Sequence, residues 1–120
     1  MRDFQELHVW QRAHALTLRI YEETRAFPPD ERFGVTSQLR RCAASVAANI
    51  AEGCGRSSDN ELARFLTIAL GSLAETSYFL ILVRDLEYLL PDTAAHLQND
   101  LTKLRKMLIA FHRRLKPLSS

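Results

Sequence analysis

Glycine and proline are scarce in this chain: four of each in 120 residues. That leaves few places for tight turns and excludes an architecture of many short strands, so long elements with few connections are expected. Cysteine is scarcer still. Cys42 and Cys54 have no C-x-x-C spacing, which speaks against a zinc site or a redox motif. The opening "MRDFQELHVW" lacks the apolar run of a secretory signal, and two free thiols in a reducing cytoplasm are the expectation. Acidic residues vanish after Asp100, while Lys103, Arg105, Lys106, Arg113, Arg114 and Lys116 follow. A basic C-terminal helix is therefore the main electrostatic feature of a chain whose net charge is only +2. Charge is also missing from two internal stretches. Between Arg41 and Glu52 there is none, and "FLTIALGSLAETSYFLILV", residues 65–83, carries Glu75 alone.

The second stretch is long enough to raise a membrane reading. Glu75 near its centre would cost roughly 2.5 to 3.5 kcal/mol to insert. Gly71, Ser72, Thr76 and Ser77 dilute its hydrophobicity further, so a helix buried in protein, with no membrane partner, is expected.

What is present reads as four helices in one domain over residues 1–120. Asp3 with Glu6 three residues on has a capping-box pattern for the first helix, and Trp10, Ala13, Leu16 or Thr17, Ile20, Thr24 and Phe27 recur at helical spacing behind it. "FPPDERFG" ends that helix. The second is predicted from about Thr36 or Ser37 to Glu52, with Gly53 as its C-terminal cap and Cys54 in the loop beyond. Ser58, with Glu61 three residues on, caps a third helix predicted to run to about Tyr88. Asp92 is read as the cap of the fourth. There Leu97, Leu101, Leu104, Leu108, Phe111 and Leu115 form a seam with steps of four and three, and Pro117 stops it. No segment alternates with the period of a strand. The fold class is all-α, an antiparallel up-down-up-down four-helix bundle.

The first and fourth helices have charged outer faces, whereas the second and third do not. A helix that is small or apolar all round is usually covered all round, and one four-helix bundle cannot cover two of its helices on every side. Self-association into a homo-oligomer through helices two and three is the expectation. The alanines of "RRCAASVAANIAEG" allow close approach of neighbouring backbones, and Arg40, Arg41, Asn49, Glu52 and Glu75 are read as a structural polar network. Glu75, expected to be buried, is assigned an ion pair with Arg40 or Arg41.

Catalytic and metal chemistry find no constellation. No Glu is followed three residues later by His, no H-E-x-x-H occurs, and "GCGRSSDN" lacks the lysine and spacing of a phosphate-binding loop. No catalytic residue, metal or cofactor is assigned. The candidate binding residues are Lys103, Arg105, Lys106, Arg113, Arg114 and Lys116, suited to the phosphates of RNA or DNA. They cannot all share one face. The alternative is a structural or interaction module whose basic surface only confers solubility.

In order along the chain stand VW-x-x-A, FP-x-x-E-x-FG, SQ-x-RR, NIAEG and FL-x-x-A-x-GS-x-x-E. With these motifs the chain resembles the four-helix bundle proteins encoded by intervening sequences in bacterial large-subunit ribosomal RNA genes. The likeness spans residue 7 to about residue 90, with Cys42 and Ala47 where the family often has Ala and Pro. It implies a cytoplasmic bacterial protein assembled as a ring-like homo-oligomer, a homopentamer in particular. The chain is also similar to the accessory variability proteins of diversity-generating retroelements. That likeness implies basic surfaces that associate with nucleic acid and a reverse transcriptase. The motif residues here are Ser37, Gln38, Arg40, Arg41, Asn49, Glu52, Gly53, Arg56 and Glu75.

Overall fold

A computed structural model describes residues 2–115 of the chain. It contains four long helices: α1 (His8–Thr24), α2 (Val35–Cys54), α3 (Asp59–Asp85) and α4 (Pro91–Leu115). Two short 3-10 turns, Phe4–Glu6 and Pro29–Glu31, complete it, and no strand occurs among the described residues. Each helix packs on its neighbour in sequence, and α1 closes the square against α4. Cross-helix partners run in opposite directions. Thr17 meets Ala43 and Tyr21 meets Arg40, while Ser45 meets Ser72 and Gly53 lies against Phe65. Thr67 meets His112 and Ser77 meets Gln98. Advancing along one helix means retreating along the next, so the bundle is antiparallel throughout. It measures 48 × 23 × 22 Å, as expected for helices of this length side by side.

The predicted seam of α4 is the core. Leu97, Leu101, Leu104, Leu108, Phe111 and Leu115 are all buried, facing Leu16 and Ile20 of α1 and Leu66, Leu73, Leu80 and Val83 of α3. Packing between α2 and α3 is the most extensive in the molecule, and small residues explain it. Gly53 is not the cap of α2. It lies inside the helix and is buried, and a Cβ there would stand 2.8 Å from both Leu62 Cδ1 and Phe65 Cβ. The helix continues to Cys54, itself buried, and closes at Gly55 in an ordinary right-handed conformation. Backbone contact drives this extension: the Gly55 N–H donates to the carbonyls of Ala51 and Glu52, and the Arg2 N–H donates to the Cys54 carbonyl.

Other boundaries depart from expectation for similar reasons. Asp3 accepts from the Gln5 N–H at 3.0 Å, so it caps the 3-10 turn instead of α1, which starts after Leu7. Ser58 does cap α3, accepting from the Glu61 N–H at 3.1 Å. That helix stops at Asp85, three residues before Tyr88, in a Schellman arrangement. The Tyr88 N–H donates to the Val83 carbonyl and the Glu87 N–H to that of Arg84, with Glu87 at φ 64° where glycine is usual. Pro91 is the first residue of α4, which places Asp92 inside its first turn instead of before it. Pro117, the expected stop of α4, lies outside the described residues.

The motif FP-x-x-E-x-FG has a physical reason. Glu31 Oε1 accepts from the Val35 N–H at the start of α2 (3.3 Å), and Oε2 accepts from the Tyr88 hydroxyl (2.8 Å). A Cβ at Gly34 would sit 2.6 Å from Glu31 Oε1, so a larger residue there would displace the carboxylate from this position. Glu31 thereby joins the α1–α2 connection to the α3–α4 connection. Phe33, in the same motif, is 86% exposed and carries the Arg32 guanidinium 5.1 Å from its ring centre.

Candidate functional site

The basic residues of α4 occupy three directions. With about 3.6 residues per turn, Lys106 and Arg113 lie opposite the leucine seam and point outward. Lys103 and Arg114 fall on the flank toward α1, where Asp100 of the same flank meets Arg19 at 3.9 Å. Arg105 falls on the flank toward α3, the side on which Gln98 bonds Ser77 and His112 approaches Thr67. All five are exposed. None has a carboxylate within 4 Å among the described residues. Arg114 rests against the Phe111 ring at 5.5 Å, which holds its stem along the helix while leaving its donors free. Lys116 lies outside the described residues.

Three further arginines lie near the same end of the bundle: Arg56, a motif residue in the sequence, and Arg2 and Arg64, which sequence reasoning missed. Arg2 shares the Phe111 ring at 5.8 Å, while Arg56 and Arg64 flank Phe65 at 4.9 and 4.7 Å. Each of these is already matched by a carboxylate, Arg2 with Asp59, Arg56 with Glu52 and Arg64 with Glu61. Their charge is locally cancelled, whereas that of α4 is not. Only the packing of the α2–α3 turn against the N-terminal segment brings Arg2 here, and no local pattern signals it.

The expected polar network separates into four parts. Arg40 turns inward to α1. Its Nε donates to Thr24 Oγ1 at 2.7 Å, one Nη donates to the Tyr21 carbonyl at 3.2 Å, and its guanidinium stacks 4.7 Å from the Tyr21 ring. Asn49 serves the α2–α3 contact. Its amide donates to the Ser45 carbonyl (2.8 Å) and hydroxyl (2.9 Å), and the Ser45 and Ser72 hydroxyls share a bond of 2.9 Å. Glu52 makes only a surface pair with Arg56 at 3.9 Å. The assignment of Glu75 is corrected: it is exposed in the single chain and has no ion pair with Arg40 or Arg41 among the described residues. It projects from the rim of α3 beside α2, where it lines a depression of about 160 Å³ with Gln38, Arg41, Cys42 and Ser45.

Nothing in this geometry activates a nucleophile. Burial pushes the Cys42 thiol up, the Thr76 hydroxyl partly opposes that, and the nearby Glu75 carboxylate adds to it. Burial likewise pushes Cys54 up, against the pull of the Arg2 charge. Both thiols stay protonated at neutral pH and behave as small apolar side chains. Among the described residues no three His, Cys, Asp or Glu side chains gather as a metal site would require.

α3 is long and apolar enough, by length and composition, to cross a membrane, yet only 33% of its most apolar window is buried inside the bundle. One chain alone therefore leaves part of α3 uncovered, as expected of a single four-helix bundle. Ile68, Tyr78 and Ile81 stand 41, 56 and 40% exposed on α3. On α2, Ala47 is buried in the chain's own core while Ala48 faces out.

Comparison with known proteins bears on the whole chain. The sequence pattern of the 23S rRNA-intervening sequence protein family matches residues 5–110. Among solved structures, the chain is similar to a protein of unknown function from the S23 ribosomal protein family of Bacteroides thetaiotaomicron. Identity is 28% and the TM-score 0.78, over 87% of this chain and 97% of that one. No curated protein matches. With the family pattern running from the first 3-10 turn nearly to the end of α4, the chain belongs to the 23S rRNA-intervening sequence protein family.

Proposed function

We propose that this protein is a non-enzymatic, self-associating helical bundle that binds the phosphate backbone of nucleic acid through α4, as an accessory factor. The observation that carries the reading is the set of five exposed cations on α4, Lys103, Arg105, Lys106, Arg113 and Arg114, without carboxylates within 4 Å among the described residues. Arg2, Arg19, Arg56, Arg64 and Arg84 reach a carboxylate, whereas the cations of α4 stand together along one helix without one among the described residues, which leaves their field for an external anion. Side chains spread over three directions suit a curved or repeated phosphate array better than one compact anion. Assembly would repeat the patch in each copy and raise the affinity through multivalency. A ring of five copies is what the resemblance implies, and a reverse transcriptase is the protein partner that the second likeness suggests.

Filter binding to structured RNA and to duplex DNA across a salt series tests this. Affinity is expected to fall steeply with salt, in proportion to the number of phosphates neutralised. Reversing Arg105, Arg113 and Arg114 to Glu should weaken binding while leaving the helical content and the melting curve intact. Affinity no better than millimolar at low salt would overturn the reading and leave the alternative, an interaction module without a nucleic-acid role. One observation favours that alternative independently: the outer side of α3, where Glu75 is the only charge in residues 65–83, exposes Ile68, Tyr78 and Ile81 and suits a protein partner whether or not α4 binds nucleic acid.

A further inference from the structure

Two adjacent arginines on α2 have different surroundings. Arg40 is satisfied within the chain by Thr24 and by the Tyr21 carbonyl and ring. Arg41 is exposed and has no carboxylate within 4 Å among the described residues. It shares the rim of the 160 Å³ depression with Glu75, which is likewise exposed and has no cation within that distance among the described residues. Five other arginines, Arg2, Arg19, Arg56, Arg64 and Arg84, do reach a carboxylate of their own chain. Arg41 and Glu75 do not meet across the depression.

The surface around them is otherwise without charge. Residues 42–51 of α2 have none, and Glu75 is the only charge in residues 65–83 of α3. Ile68 and Tyr78 form its apolar part. Ala48 and Gly71 keep it low, and a Cβ placed on Gly71 would meet nothing within 4 Å. Such a face, rimmed by one acid and one base, is complementary to itself. Lipid would have to accept both charges without counterions, whereas a second copy brings one for each. We propose that the α2–α3 face is closed by a second copy of this chain, with Arg41 of one copy paired to Glu75 of its neighbour across the interface. This rests on the self-association in the reading above and names the residues that fix its register. In a ring each interface holds one such pair; in a two-fold dimer it holds two.

Charge reversal with mixing tests it. Arg41→Glu and Glu75→Arg, made separately, should each shift sedimentation velocity toward the monomer, with apparent affinity at least about tenfold weaker, since each places like charges in a closed interface. Mixing the two variants should recover assembly, completely in a dimer and in part in a ring of five, where an odd number of copies leaves one like-charged interface, and native mass spectrometry should find both in the same particles. As a control for net charge, Arg12→Glu and Glu22→Arg on the outer face of α1 should leave the assembly unchanged alone and when mixed. If the wild-type chain is a monomer, the self-association reading itself fails. If the wild type assembles and both reversals leave it intact, the pairing fails while the reading stands. Failure of the mixture to reassemble would also overturn the pairing, because the two charges then act within one chain. Flotation of the wild-type protein with neutral phosphatidylcholine vesicles would overturn the choice of a second copy as the partner of this face.

Discussion

The outer faces of α3 and α4 lie side by side and follow opposite rules. α4 turns its leucine seam to the core and a row of cations to solvent, so a single chain satisfies it completely. α3 buries Leu62, Leu66, Leu73, Leu80 and Val83 just as well, but its other side exposes Ile68, Tyr78 and Ile81, with Glu75 the only charge in residues 65–83. Both helices contribute equally to the core, and only the outer face differs. Under the proposed function, that difference gives them separate tasks. An uncharged, low-relief face is costly to leave in water and suits permanent protein contact. A face of unmatched cations is costly to bury and suits a phosphate ligand that arrives and leaves.

The sharpest way to break the comparison uses the two glycines on either side of the α2–α3 layer. Gly53→Ala pushes a methyl into Leu62 and Phe65, and unfolding in urea should show a destabilisation of about 1 to 3 kcal/mol. Gly71→Ala meets open space within the chain and should raise helix stability by up to about 1 kcal/mol. In sedimentation the order reverses: Gly71→Ala thickens the assembly face and should weaken association, while the Gly53 variant, where folded, should still assemble.

The paired arginines give the next largest contrast. Arg40→Met removes two hydrogen bonds and the stacking on Tyr21, and thermal unfolding should register roughly 1 to 2 kcal/mol. Arg41→Met should stay within about 0.5 kcal/mol in the dissociated chain, as surface changes do. Equal effects would mean that Arg41 has a partner inside its own bundle.

On α4, Lys106→Glu with Arg113→Glu should leave stability within about 0.5 kcal/mol. The slope of log affinity against log salt should become shallower by about 0.9 for each phosphate that the variant no longer neutralises. An unchanged slope would place the nucleic-acid surface elsewhere. The smallest effect is expected from the thiols. Burial holds Cys42 and Cys54 above the ordinary thiol range, so the folded chain keeps protons that the unfolded chain releases. Their contribution to stability is therefore complete below the unfolded thiol pKa and is lost as pH rises through the folded values. Alkylation of the native protein near neutral pH should be slow and should accelerate on unfolding. Rapid labelling would show that one thiol is open to solvent.

Much of the fold is legible in the sequence because helical periodicity reports burial directly. The step of four and three along α4 marks its seam residue by residue, and Ser58 with Glu61 marks the start of α3. Gly53 misleads because a glycine at the end of a helical pattern reads equally as a cap or as a close contact. Only the neighbouring helix decides between them, and Phe65 does so here. Glu75 misleads for a related reason. An acid inside an apolar run reads as buried and paired, but burial of α3's outer side cannot be completed by one chain. Glu31 is visible only as a letter in a motif, since its partners Val35 and Tyr88 meet through two separate connections.

The most direct measurement is the mass of the wild-type protein in solution, by light scattering at micromolar concentration and moderate salt. A closed α2–α3 face predicts a stable particle several times heavier than the 13.7 kDa chain. A stable 13.7 kDa monomer would contradict self-association, because the apolar side of α3 would then stand open in water.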